Sequence, residues 1–497
     1  MKNYKYLGLF LLSLGLMSCD VDNEIEEIEP VIQLNTNGLD FSKYVAIGAS
    51  YTAGYSDGAM FIASQENSFP KILAGKFNSE FKQPLMNDNI GGLLYAGNVV
   101  SPPRFYFNGS GPARLNATPT TELTNVLSGP FNNLGVPGAK SYHIGVPNYG
   151  YLNPYFGRMA SNPSATVMED ALAQSPTFFT LDIGGNDVLG YALSGGTGVN
   201  QLGNYDPSTY GGSDITDPNV FASVLSATVA ALTANGAKGV LMNVPPVKAI
   251  ANLTTVPYNP VPLDNATAVA VNSGYAPYNA GIQQAFGYLA AVGFISPGAA
   301  AAEIGKRTIS FSEGQNAVVI VDEYLTDLEA LNPAFAGLKQ YRQTTPNDLL
   351  VLASSTVIGT TVGGNALAIN GVSVPLADKW VLSPQEQMVI QVATDSYNAT
   401  MAAIAGSNPN IALFDFYNLG IEAVSGIVFD DYTMNGKLVT GGIFSLDGVH
   451  ATARGYALIA NYVLASIDAK FGSNFTIATD GLAKAGDYPT NYPESLR

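Results

Sequence analysis

Tyr44-Val45-Ala46-Ile47-Gly48-Ala49-Ser50 sets the architecture. Four consecutive apolar residues stopped by glycine read as a short buried strand, with Ser50 at its carboxyl end. The same signal recurs in Thr177-Phe178-Phe179-Thr180-Leu181-Asp182-Ile183, in Lys238 to Val244 and in Ile411 to Tyr417. The second run stops at Gly184-Gly185-Asn186-Asp187 and the third at Pro245-Pro246. Helical spacing predicts helices over 68–82, 166–174, 218–235, 276–291, 384–405 and 452–469. The last would bury Leu458, Ile459, Val463, Leu464 and Ile467. Strands alternating with helices imply an α/β fold with a parallel sheet covered on both faces. In open α/β sheets ligands bind beyond the carboxyl ends of the strands, which is where Ser50 falls.

Other stretches interrupt this pattern. Residues 84–130 are rich in Gly, Pro, Asn and aromatics, among them Tyr95, Phe105, Tyr106 and Phe107. They read as loops with short strands. Residues 190–216 read as irregular, and 420–443 as a small insertion. Residues 294–384 mix glycine-rich turns with a β-ribbon expected at Val318–Asp322 and Leu349–Ser354. Asn133-Leu134-Gly135-Val136-Pro137-Gly138 carries a tight-turn signature. No internal repeat is visible, so 39–487 reads as one elaborated domain with these four insertions.

The amino terminus reads as an address. Lys2 and Lys5 precede an apolar run from Leu7 to Met17, too short for a membrane span and suited to a cleaved export signal over 1–18. The run ends in Leu16-Met17-Ser18-Cys19, which resembles a bacterial lipobox, and that resemblance implies lipid on the Cys19 sulfur. Six of the ten residues from Asp20 to Glu29 are acidic, so 19–38 reads as a solvated tether. Its acidic run resembles the surface-export signals of Bacteroidetes lipoproteins. The expected location is the cell envelope, lipid-anchored to the outer membrane and open to surface exposure.

Cys19 is the only cysteine, which rules out an internal disulfide, a thiolate metal cluster or a cysteine nucleophile in the mature domain. Formal net charge is −17, and loss of residues 1–18 would leave the chain near −19. That field opposes phosphate-backbone binding, so nucleic acid is not expected as a partner.

The chain has two histidines. One lies in Asp447-Gly448-Val449-His450, with a carboxylate three residues before it. A serine hydroxyl is a weak nucleophile unless a base takes its proton, and an imidazole between serine and carboxylate does this. Ser50 is thus the candidate nucleophile, His450 the base and Asp447 its orienter. Asn186 and the backbone N–H groups of Gly138 and Ser50 are candidate donors to the oxyanion of acyl transfer. Ordinary roles compete: Ser50 as a helix cap, Asp447 and His450 as caps of the last helix, the glycine-rich segments as plain turns. His143, close after Gly138, has a structural or a substrate-contacting role open to it.

Gly-x-Ser, Asn-x-Gly-x-x-Gly, Gly-x-Asn-Asp and Asp-x-x-His, in that order, resemble the SGNH hydrolases, also called the GDSL esterase/lipase family. The likeness covers roughly 43–470. It implies a three-layer, flavodoxin-like α/β/α sandwich and a triad of Ser50, His450 and Asp447. It also implies an oxyanion hole of Ser50, Gly138 and Asn186, and hydrolysis of carboxylic esters without cofactor or metal. The family usually has aspartate where this chain has Ala49. The lipid anchor and the aromatic segment at 95–107 favour lipid or medium-to-long acyl esters, with an apolar channel lined by those aromatics. A carbohydrate acetylesterase, or a non-catalytic surface lipoprotein binding glycan or lipid, are the alternatives.

Overall fold

A computed structural model describes residues 31–497. The export signal, Cys19 and the tether as far as residue 30 lie outside the described residues. Residues 32–37, expected in the tether, instead bond to the C-terminal segment. The Ile32 N–H donates to Thr479 Oγ1 at 2.9 Å and the Asn35 N–H to Asn474 Oδ1 at 2.6 Å. The acidic run ends before this point, so nothing in 32–37 resists docking.

Five parallel strands form the sheet: β1 (Tyr44–Gly48), β2 (Asn133–Gly135), β3 (Phe178–Asp182), β4 (Lys238–Met242) and β5 (Ile411–Phe414), in the order β5-β4-β3-β1-β2. Ten helices matter here: α1 (Ser50–Ala53), α2 (Phe69–Phe77), α3 (Val167–Leu172), α4 (Asn186–Leu193), α5 (Pro218–Thr233), α6 (Asn265–Ala291), α7 (Pro297–Arg307), α8 (Pro384–Ser407), α9 (Phe416–Ser425) and α10 (Ala453–Phe471).

Alternating side chains along each strand divide the core. Val45, Ile47, Phe179, Leu181 and Leu241 pack against α3, α4, α5 and α8. Tyr44, Ala46, Phe178, Val240 and Met242 pack against α2, α9 and α10. The mixed α/β fold, with helices on both faces of a parallel sheet, is as the sequence pattern predicts. All five residues of β1 are buried, and fully burying a side chain the size of Val45 or Ile47 contributes about 1.5–3 kcal/mol.

Three differences stand out. Asn133–Gly135, expected as part of a turn, is an edge strand whose Gly135 pairs with Gly48. Three residues are too few for a strand to show in the pattern. Helix α6 begins at Asn265 rather than 276, capped by Asp264, whose carboxylate accepts from the Thr267 N–H at 2.7 Å. Pro277, inside the helix, masks its first half in sequence. The 294–384 segment, together with the chain from about 256 and α6, builds hydrophobic clusters of its own around Val319, Ile320 and Phe311 and around Phe286 and Leu289. Val319–Val321 pairs with Tyr341–Gln343, and Leu349–Leu350 with Val381–Leu382. The two expected ribbon strands therefore have separate partners.

Register places the chemistry. Gly48 pairs with Asp182 on one side and Gly135 on the other, so β1, β2 and β3 end in one row. Ser50, Gly138 and Asn186 follow those three ends directly. Among the described residues no helix is long and apolar enough to cross a membrane.

Candidate active site

Ser50 opens α1 without capping it. The N-cap is Ala49, and no side chain makes a capping bond there. The helix lies tight on the sheet because the strands beneath it end in glycine. A Cβ on Gly135 would fall 2.2 Å from the Ala53 nitrogen, and one on Gly48 2.7 Å from the Asp182 carbonyl oxygen. Contacts that close are not compatible with any side chain, so both glycines fix how near the serine sits to the strand ends.

His450 and Asp447 come from a turn that closes on itself. The Ser445 N–H donates to the His450 carbonyl at 2.7 Å and the Gly448 N–H to the Ser445 carbonyl at 2.9 Å. Gly448 holds φ +73°, and a Cβ there would meet the Asn252 nitrogen at 2.8 Å. The cap of α10 is Thr452, whose Oγ1 accepts from the Gly455 N–H at 2.9 Å. Neither Asp447 nor His450 performs that duty, so both are available to each other.

His450 Nε2 lies 2.8 Å from Ser50 Oγ, across 400 residues of chain. His450 Nδ1 lies 2.8 Å from Asp447 Oδ2. The other carboxylate oxygen, Oδ1, accepts from the Val449 and His450 N–H groups at 2.8 and 2.9 Å, and Oδ2 also accepts from the Gly58 N–H at 2.8 Å. Burial opposes ionisation of Asp447. The adjoining imidazole and these donors outweigh it, holding the carboxyl well below the usual carboxylate range. An ionised Asp447 accepts only, so Nδ1 carries the proton and Nε2 is left to accept from the serine hydroxyl.

The segment after α1 is zipped to this turn. The Asp57 N–H donates to Ser445 Oγ at 3.0 Å, Asp57 Oδ1 accepts from the Leu446 N–H at 2.9 Å, and Ser56 Oγ donates to the Ala451 carbonyl at 3.0 Å. Tyr51 Oη donates to the Val449 carbonyl at 2.6 Å. The Tyr55 ring lies 4.6 Å from the imidazole, centroid to centroid. Burial pushes the Asp57 carboxyl up to about 7, and Asp57 Oδ2 has no partner.

Asn186 shares the cleft at Ser50. Its Nδ2 donates one hydrogen to the Ala139 carbonyl at 2.8 Å, leaving the second amide hydrogen free. Asp187, next to it, is fully buried and accepts from Ser141 N–H and Oγ at 2.8 and 2.7 Å. These bonds hold the Gly138 loop against α4. Gly138 is exposed with φ +80°. Neither its N–H nor that of Ser50 donates to an acceptor among the described residues. Together Ser50, Asn186 and Gly138 supply neutral donors without adding charge.

His143 is not part of this group. Its Nδ1 accepts from the Lys140 N–H at 3.0 Å, and its ring stacks on Tyr149 at 4.7 Å. Burial, then the Lys140 charge, lowers it to about 4, so it is neutral. It closes the turn after Gly138.

The cleft walls are Leu189, Val247, Ile250, Phe416 and Val449. Tyr51, Pro245, Ile250 and Phe416 also line a second, small apolar pocket beneath α9 and α10, with Leu419, Ala423 and Leu458. The aromatic segment expected to line a channel is placed apart from these walls. Tyr95 sits in a separate groove with Leu93, Val100 and Tyr155, and Phe105 lies under Arg114, 3.7 Å from its guanidinium.

Several participants escape a sequence reading. Gly58, Ser445, Tyr51 and Tyr55 carry no motif. Asp182 reads there as a strand residue, yet its carboxylate accepts from Thr52 Oγ1 at 3.1 Å on the floor of the cleft. Burial raises it to about 6, against the Thr52 hydrogen bonds.

Comparison with protein-family models, with curated proteins and with solved structures finds no match.

Proposed function

We propose that the protein is a serine esterase of the SGNH hydrolase type, hydrolysing carboxylic esters through an acyl-enzyme. The observation that carries this reading is the unbroken line Asp447–His450–Ser50, with 2.8 Å at each step. The strand order β2-β1-β3-β4-β5 also supports it, being that of flavodoxin-like doubly wound sheets.

In the proposed cycle His450 Nε2 takes the Ser50 proton as Oγ attacks the ester carbonyl carbon. Asp447 holds the resulting imidazolium in place and stabilises its charge. The carbonyl oxygen becomes an oxyanion facing the N–H groups of Ser50 and Gly138 and the Asn186 amide. Each such donor is worth roughly 3 kcal/mol at the transition state. The imidazolium then protonates the departing alkoxide. Water, deprotonated by the same imidazole, attacks the acyl carbon and frees Ser50.

The acyl group favoured is medium to long. The apolar walls of the cleft and of the pocket past Phe416 support this, because an alkyl chain gains about 0.8 kcal/mol per methylene buried against them. The export signal and lipid at Cys19 complete the proposal, placing the enzyme at the cell envelope beside lipid substrates.

The test is hydrolysis of p-nitrophenyl esters from acetate to palmitate by the protein and by Ser50→Ala. kcat/KM should rise from acetate to octanoate, and Ser50→Ala should lose turnover with its fold intact. Equal turnover by both proteins removes the esterase reading. A preference for acetate removes the lipid version alone.

A further inference from the structure

We propose that Glu323, Asp378 and Glu386 form a calcium site, remote from the catalytic triad, that clamps the 256–382 segment to the helix layer of the core.

The three residues come from separate elements. Glu323 follows the strand Val319–Val321, Asp378 starts a short turn at Asp378–Trp380, and Glu386 lies in the first turn of α8. One oxygen from each carboxylate lies within 4.8 Å of the other two. Among the described residues no lysine or arginine side-chain nitrogen lies within 4.0 Å of any of their carboxylate oxygens. Their neighbour Asp322 shows the usual remedy: it pairs with Arg342, which also takes Asp348 in two bonds of 2.8 and 2.7 Å.

A second observation points to a ligand. Glu386 is only 1% exposed. Its Oε2 accepts from the Ser383 N–H at 2.6 Å, but Oε1 is buried and has no partner. A buried, unpaired carboxylate oxygen is costly unless a cation or a proton meets it. The fold makes room for that oxygen: Gly196 takes φ +80°, and a Cβ there would stand 1.9 Å from Oε1. Gly196 follows α4, the helix that opens with Asn186.

The donor set selects the ion. All three ligands are carboxylates, with no histidine or cysteine, which suits a hard divalent cation over zinc or copper. Calcium accepts six to eight oxygens in irregular geometry and completes its shell with water. Glu323 is exposed, giving solvent and the ion a way in. Magnesium demands a regular octahedron, which three carboxylates from three separate segments do not prescribe. Burial first, then the neighbouring carboxylates, pushes Asp378 and Glu386 above the ordinary range. A shared proton is thus the competing occupant.

The test uses the full chain with TbCl3 and CaCl2. The phenols of Tyr191 and Tyr324 lie close enough to feel the Glu386 charge, so they are placed to sensitise terbium emission. The expected result is one saturable terbium site per chain, displaced by CaCl2, and a Tm that rises with CaCl2. Asp378→Asn and Glu323→Gln, each with native circular dichroism, should weaken binding by at least about tenfold and flatten the Tm response. Equal terbium binding by wild type and both variants would mean adventitious ions on an acidic surface. A wild-type Tm indifferent to millimolar CaCl2 would mean a shared proton. Either result overturns the proposal and leaves the esterase reading untouched.

Discussion

The Gly58 N–H donates to Asp447 Oδ2 at 2.8 Å, the same oxygen that faces His450 Nδ1, across 389 residues of sequence. The carboxylate is thereby aimed by the loop that follows the nucleophile. Asp447→Asn keeps the shape but presents an amide in place of an acceptor, which turns the imidazole to the wrong tautomer. The expected loss in kcat on a p-nitrophenyl ester is about 10⁴-fold, with KM little changed. Because the folded Asp447 carboxyl is held below its usual range, the stability it contributes is full above about pH 5 and fades as pH falls below about 4. Urea titrations of wild type and variant across that window read the difference.

Asn186 is expected to act on the transition state alone. Asn186→Ala should lower kcat by roughly 10²–10³ and leave KM nearly unchanged. Steady-state kinetics separate the two parameters. An equal rise in KM at constant kcat would assign the residue to substrate binding instead.

The glycines beneath and beside the nucleophile should behave oppositely. Gly135→Ala puts a methyl 2.2 Å from the Ala53 backbone nitrogen, which displaces α1, so folded yield or activity should collapse. Gly138→Ala meets nothing within 4 Å. It adds only the cost of φ +80°, about 1–2 kcal/mol. Thermal melts and activity of the two variants, measured side by side, check the contrast.

The readings that succeed from sequence are those written in local chemistry. Strands β1, β3, β4 and β5 are continuous apolar runs stopped by glycine, proline or aspartate, and helices α5, α8 and α10 repeat apolar residues at helical spacing. That Ser50, Asn186 and His450 fall together was legible as a candidate grouping because two histidines leave few choices and because each follows a strand end or precedes a helix. What stayed hidden depends on long-range geometry. The Gly58, Asp57 and Tyr51 contacts to the His450 turn exist only once residues some 400 apart meet. The core of the 256–382 segment rests on strands of two or three residues, too short to announce a period. The apolar walls at Ser50 come from Phe416 and Ile250, while Tyr95, from the more conspicuous aromatic run near 95–107, lines a different groove.

Asp57 should make the fold less stable as pH rises. Its folded carboxyl titrates at about 7, above the ordinary value. Between about pH 4 and 7 the unfolded chain therefore binds fewer protons than the folded one, and stability falls with pH at up to about 1.4 kcal/mol per unit. Asp57→Asn keeps the Oδ1 acceptor for the Leu446 N–H and removes the charge. Stability of the wild type minus that of the variant should drop from pH 5 to pH 8. Denaturant melts at several pH values measure it, and a flat difference would mean that Asp57 is ionised throughout.

The most direct measurement of the central claim is covalent labelling by a fluorophosphonate, with the modified residue mapped by peptide mass spectrometry. The expected result is one label per chain, on Ser50, abolished in His450→Ala while circular dichroism stays native. A folded protein that takes no label, or takes it on a different residue, would contradict it.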